Sequence, residues 1–213
     1  MGNKTKTQEE LDDMLKRHQL WLSDSKKYKP VDFRNMDFSG LDFSGRDLYW
    51  IKFIGSDLED ADFSGAKITW VDFRHCNLMN ADFSNTVIIH GTFRTADLKS
   101  SDFTNATIPV CDFERADLSY ANFSNAKCDR SSFNKSVCYK TNFSGADLSE
   151  ATLTYSILCD ANFEKANLKR ALINKSTASG ASFEQAILVE ANLYCTNMLE
   201  AKLSNADITG IKI

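Results

Sequence analysis

From Val31 to Ile213 large apolar residues recur every five positions. The type unit is Ala61-Asp62-Phe63-Ser64-Gly65, with Phe63 at its centre. Counting in fives from Phe63, all 15 phenylalanines of the chain fall on the central position, from Phe33 to Phe183. Most other central residues are Leu or Ile, such as Leu58, Ile68, Leu78 and Leu98; Cys128, Cys138, Ala178 and Met198 depart from this. Two residues before the centre, from Ser56 to Ala206, stands Ala, Ser, Thr, Cys or Gly, with Val71 the exception. The residue before the centre and the two after it are mostly polar. A five-residue period matches neither a helix nor a strand. It predicts a chain that turns a corner every five residues and points one small and one large side chain inward.

The first thirty residues lack this period. Thr7-Gln8-Glu9-Glu10 reads as a capping box and predicts a helix over about 8–23. Leu11, Met14, Leu15, His18 and Leu22 recur at spacings of three and four, with Trp21 at the stripe's edge. Asp12 and Asp13 precede Lys16 and Arg17, the order a helix dipole favours. Lys4 to Lys6 are expected to be disordered, and Asp24 to Lys29 to form a basic link that Pro30 ends. A solenoid with an uncovered end exposes its core and an unpaired strand edge. The helix is therefore expected to cap the first coil, with Trp21 and Leu22 near Phe33, Phe38 and Phe43. The chain divides into 1–30 and 31–213.

The units Ala61 to Gly65, Ala-Asp-Leu-Ser-Glu at 146–150 and Ala-Asn-Leu-Lys-Arg at 166–170 resemble the A(D/N)Lxx motif of the pentapeptide-repeat family. The phase holds without a slip over 31–213. This resemblance implies an all-β solenoid: a right-handed quadrilateral parallel β-helix with four units per coil, so that residues twenty apart stack. The sequence supports the stacking independently. Phe43, Phe63, Phe83, Phe103, Phe123, Phe143, Phe163 and Phe183 form one column, and Phe53, Phe73, Phe93, Phe113 and Phe133 the opposite one. Leu, Ile and Cys fill the columns between. The repeat region then makes about nine coils, a rod roughly 40 Å long at ~4.8 Å per stacked strand. Ala178 is expected to leave a void or a loosened coil.

Composition narrows the function classes. A hydrophobic content of 43% supports a real core. No apolar run approaches the ~20 residues of a membrane helix, and the polar N-terminus does not read as a secretory signal. The net charge of -4 disfavours non-specific binding to nucleic acid or an anionic membrane. The six cysteines show no CxxC pairing and no histidine at zinc spacing, so no metal or other cofactor is expected. They read as small buried hydrophobes, and free thiols imply a reducing cytoplasm. No phosphate-cradling glycine motif, GxSxG elbow or HExxH pair occurs. Asp recurs before the centre coil after coil, which marks structural polar ladders rather than an acid–base pair. His75 and His90 point outward on different sides. A non-enzymatic protein is expected.

Grouped by stacking column, the sides differ in charge. Those of Phe43 and Leu58 are negative, that of Leu48 is neutral, and that of Phe53 is positive. Asp57, Glu59, Asp60 and Asp62 form the candidate acidic face, and Arg34, Arg74 and Arg94 lie on the basic side. Most informative is the Leu48 side. Its outward positions hold Tyr49, Trp50, Thr69, Trp70, Val87, Ile89, His90, Pro109 and Val110, where other sides carry mostly small polar or charged residues. Trp50 and Trp70 are expected ~5 Å apart on adjacent strands. Clustered exposed aromatics usually mark a contact surface. Tyr49, Trp50, Trp70, Ile89, His90 and Val110 are the candidate partner-binding patch. In the final coil, Leu203, Ile208, Ile211 and Ile213 present an edge expected to pair, most simply as a homodimer.

Two functions follow. One is a protein-interaction scaffold presenting the aromatic patch. The resemblance implies the other. Some family members are similar to B-form DNA in width and negative surface, and bind type II topoisomerases such as DNA gyrase or topoisomerase IV in fluoroquinolone resistance. This chain departs from them in lacking the loops that interrupt the rod in plasmid-borne resistance members, in lacking their C-terminal helix, and in having one basic side.

Overall fold

The structure, a computed structural model, describes residues 5–213; Lys4 lies outside the described residues. Parallel bridges link residues twenty apart from Asp37↔Asp57 to Asn192↔Lys212. Most units repeat one set of hydrogen bonds. The amide of Phe63 donates to the Asp82 carbonyl at 2.7 Å, that of Gly65 to Ser84 at 2.9 Å, and that of Asp82 back to Ala61 at 3.0 Å. The corner closes when Ala66 N–H donates to the Phe63 carbonyl at 3.0 Å. The residue before the centre shapes the same corner: Asp62 Oδ1 accepts the Ser64 amide at 2.7 Å. Asn122 and Asn162 accept the amides of Ser124 and Glu164 in the same way. These Asx turns are why Asp and Asn recur there. The fifth residue of each unit takes positive φ, from 52° at Asn35 to 71° at Gly55. The five-residue period is the length of this side plus its corner.

Central residues point inward. Phe63 stacks on Phe43 at 4.5 Å and on Phe83 at 4.7 Å, while Phe73 meets it edge-on at 5.6 Å. The second column stacks likewise, Phe93 on Phe113 at 4.8 Å. Offset stacks along the axis and edge contacts across it suit the ring quadrupoles in both directions. The small residues fill the space between, as at Ala61, Ala66 and Ala81, all fully buried. Some serines at the small position bridge the open corner of the coil before them. Ser56 Oγ donates to the Phe33 carbonyl at 2.7 Å and accepts the Met36 amide at 3.0 Å. Ser131 and Ser176 repeat this one coil below Cys111 and Ser156. The hydroxyls of Ser56, Ser131 and Ser176 are thereby satisfied. At Ala178 the expected loosening is not seen. Its amide reaches the Asn197 carbonyl at 2.8 Å, and the neighbouring bonds are intact, because the ladder is set by the backbone and not by side-chain size.

The helix α1, Gln8–Ser23, carries the capping box, with the Thr7 hydroxyl on the Glu10 amide and the Glu10 carboxylate on the Thr7 amide. It replaces the coil that would precede the first one. Lys6 N–H donates to the Asp37 carbonyl at 2.8 Å. The Gln8 carboxamide grips both backbone groups of Asp42 at 2.9 Å, as a neighbouring strand would. His18 Nε2 lies 2.8 Å from the Tyr49 carbonyl, which can only accept, so this nitrogen carries the proton. Asp12 pairs with Arg46 at 2.8 Å. Leu11, Met14, Leu15 and His18 are buried against Phe33 and the first coil. Two expectations are corrected. Thr5 and Lys6 are not loose, since both bond Asp37. Leu22 does not join the core and stays exposed; His18 takes the position over Phe33, with Trp21 against its ring at 5.3 Å. Among the described residues no helix is long and apolar enough to cross a membrane.

Candidate functional site

Three successive units on the Leu48 side lengthen into true strands, β1 Asp47–Tyr49, β2 Lys67–Thr69 and β3 Val87–Ile89, paired in parallel with Leu48, Ile68 and Ile88 in register. At these corners the amides of Ile51, Val71 and Gly91 make no bond of the kind Ala66 makes to Phe63 among the described residues. At Gly91 a Cβ would sit 2.6 Å from Ile88 Cγ2, so that side chain already fills the space. Trp50, Trp70 and His90 sit at φ 55–56° and Val110 at 56° one coil on, the positive φ that the fifth residue takes at every corner. Asn and Gly occupy this region at little cost, whereas a β-branched residue there is an outlier, so Val110 is the strained one of these four.

Their packing is local. Tyr49 and Trp50 stack at 5.5 Å with planes 7° apart, and Trp70 and His90 at 4.0 Å and 22°. Trp50 and Trp70, expected to adjoin, form no ring pair among the described residues; each takes another partner. Trp50 is 53% exposed and Trp70 50%, with Tyr49 and Val110 also exposed and Ile89 half-buried. Neither indole N–H makes a hydrogen bond among the described residues. The patch continues toward the cap through a cleft of about 450 Å³, lined by Trp21, His18, Phe33, Pro30, Trp50 and Lys52 among others. The sequence places Trp21 on a separate element, so repeat spacing carries no signal for this cleft. His18 Nδ1 is buried nearby with no partner among the described residues.

The charged sides differ from expectation. Arg34 is held by Asp32, Arg74 by Asp72, and Arg94 by both Asp112 and Glu114, so the basic side is largely neutralised by its own carboxylates. In the acidic group, Asp57 and Glu59 share the carboxamide of Asn77, and Asp60 accepts from Asn80. Negative charge gives way to asparagine one coil on. Further along the same side, Lys99 clamps Asp97 and Asp117 at 2.8 and 3.1 Å. A longer acidic row passes through Asp62 on the neighbouring side. Asp42, Asp62, Asp82 and Asp102 are bridged in sequence and enter no ion pair among the described residues. Aspartates at twenty-residue spacing are the signal that finds it.

Burial pushes the thiols of Cys76, Cys111 and Cys138 up to about 12, and that of Cys128 far up as well. None of these is a nucleophile at neutral pH. No cluster of three or more His, Cys, Asp or Glu is placed to hold a metal among the described residues. In the final coil Leu203, Ile208 and Ile213 are exposed and Ile211 is half-buried.

Comparison with known proteins accords with this geometry. Residues 26–103 match the family description "Pentapeptide repeat region", and residues 111–149, 146–185 and 174–210 match "Pentapeptide repeats (8 copies)". No curated protein matches the chain. Among solved structures it is similar to HetL from the cyanobacterium Nostoc sp. Strain PCC 7120, a pentapeptide repeat protein involved in heterocyst differentiation regulation. Identity is 22% over 83% of this chain and 88% of that one, with a TM-score of 0.58. It is also similar to full-length QnrB1, a plasmid-mediated fluoroquinolone resistance protein, at 18% identity over 78% of this chain and 91% of that one, TM-score 0.55. At these identities the likeness carries the fold, a right-handed β-helix, and not the activity. The chain belongs to the pentapeptide-repeat family.

Proposed function

We propose that the protein is a non-enzymatic interaction scaffold that presents Tyr49, Trp50, Trp70, Ile89, His90 and Val110 to a protein partner. The observation that carries this is the exposure of Tyr49, Trp50, Trp70 and Val110 on successive coils of one side, with Tyr49 stacked on Trp50 and Trp70 on His90. Clustered exposed aromatics on a repeat frame favour a contact surface. The same reading takes the rod as four-sided with about nine coils, giving a stiff frame that holds the rings one coil apart. It takes the exposed Leu203, Ile208 and Ile213, with Ile211 beside them, as a homodimer contact. Trp50→Ala with Trp70→Ala should abolish partner capture and leave the thermal midpoint unchanged. Retention of every partner by the double variant would exclude this surface.

The acidic row favours a second reading. Asp42, Asp62, Asp82 and Asp102, with Asp57, Glu59 and Asp60 beside them, could stand in for a DNA phosphate row toward gyrase or topoisomerase IV. Support comes from the shared fold with QnrB1 and the unpaired carboxylates. Against it stand the asparagines that interrupt the Asp57 column and those at 122, 142 and 162 that continue the row beyond Asp102 without charge. A gyrase supercoiling assay tests it. Inhibition or drug protection that is lost with Asp57, Glu59 and Asp60 neutralised supports mimicry, and no effect at large molar excess removes it.

A further inference from the structure

We propose that the aromatic side and its cleft receive a proline-rich segment in the polyproline II conformation, led by acidic residues. This rests on the scaffold reading and names the partner's chemistry.

The spacing selects the conformation. Phe43, Phe63 and Phe83, and Phe93 and Phe113, lie 4.5–4.8 Å apart between successive coils, so corner residues two coils apart, such as Trp50 and His90, are separated by about 9–10 Å along the rod. A polyproline II chain rises about 3.1 Å per residue with three residues per turn, so its same-face residues repeat at about 9.3 Å. Prolines three apart therefore match alternate coils without strain on either side. An extended strand has no place here, because the backbone groups of β1, β2 and β3 already pair with one another. Polyproline II needs no strand edge. Its carbonyls point outward unpaired and accept from side-chain donors, and Trp50 and Trp70 each offer an indole N–H with no partner among the described residues. Aromatic grooves with such donors are the general way this conformation is read.

The cleft and its charge select the flank. Trp21 and Trp50 line it together with Phe33 and Pro30, with Asp32, Arg34 and Lys52 also on its wall, and its volume of about 450 Å³ leaves room for a pyrrolidine ring. At the same end, Lys52 makes no ion pair among the described residues, whereas Arg34 is held by Asp32. One uncompensated cation beside an aromatic slot favours a carboxylate next to the docked prolines.

All three tryptophans of the chain lie on this surface, at positions 21, 50 and 70, so intrinsic fluorescence reports it alone. The full chain is titrated with a peptide of eight prolines led by two glutamates, and with the same peptide led by two lysines. Saturable change in tryptophan emission is expected for the acidic peptide below about 1 mM, with weaker binding of the basic one. Trp50→Ala should weaken the acidic peptide about tenfold or more. Lys52→Glu should reverse the preference between the two peptides. Far-UV melts check that both variants are folded. Failure of both peptides while the Trp50/Trp70 double variant still loses its protein partner overturns this inference and leaves the scaffold reading standing. Binding indifferent to Trp50→Ala and Lys52→Glu overturns it too, as does saturable binding of a β-glucan oligomer in place of either peptide.

Discussion

Replacing Phe103 by alanine removes a ring with no exposed surface. That ring is stacked on Phe83 at 4.7 Å and Phe123 at 4.5 Å, and meets Phe93 and Phe113 edge-on at 5.8 Å. Burial and cavity terms for Phe→Ala come to about 3–5 kcal/mol. The site should lie at the upper end, because the coils above and below are pinned by backbone bonds and cannot collapse into the hole. Phe183→Ala is the internal control. Its ring is equally buried but has one ring neighbour, Phe163 at 4.9 Å. Three fewer aromatic pairs, at about 0.5–1.5 kcal/mol each, predict a loss smaller by about 1.5–4.5 kcal/mol. For a chain of this size each kcal/mol moves the midpoint by about 2–4 °C, so Phe103→Ala should melt roughly 10–20 °C lower. Urea unfolding followed by circular dichroism measures both variants, and the slopes must match the parent for the comparison to hold. Equal losses, or a loss at Phe103 below about 1.5 kcal/mol, would refute the paired-column account of the core.

Val110→Asn places a residue that tolerates positive φ where a β-branched one now stands, and should stabilise the protein by about 1 kcal/mol; a lower midpoint would argue that Val110 is not strained. Hydrogen bonding from Arg34 holds the Asp32 carboxyl at about 2, against an ordinary 3.8. A depressed carboxyl stabilises above 3.8, and its contribution is lost as pH falls through about 2; the pair is exposed, so that contribution is small. Arg34→Ala should return the carboxyl toward its ordinary value in a side-chain carbon NMR titration, and an unmoved midpoint would rule out the pairing. Thiol labelling should modify Cys195 quickly and Cys159 slowly, leaving Cys76, Cys111, Cys128 and Cys138 untouched until the protein unfolds; prompt reaction of all six would contradict the burial.

The repeat made inside and outside legible without coordinates. A five-residue side with its corner is a local event, written by Asp or Asn before the centre and by the size of the two inward residues. Stacking at twenty residues then follows from the phase of the phenylalanines. The exposed aromatic positions were legible for the same reason, since a tryptophan at a corner interrupts a pattern of small polar residues. The sequence could not say how those rings pair. Trp70 takes His90 and Trp50 takes Tyr49 because side-chain torsions, not column spacing, decide the contact. Nor could net charge by column show that Arg34, Arg74 and Arg94 are answered by carboxylates on the same side. Most of all, the junction with the cap belongs to tertiary structure. Gln8 imitating a strand against Asp42, His18 donating to Tyr49 and Trp21 closing a cleft with Trp50 join an aperiodic helix to the first coil. A period specifies contacts only between its own copies, so the contacts of a segment outside it are settled by packing alone.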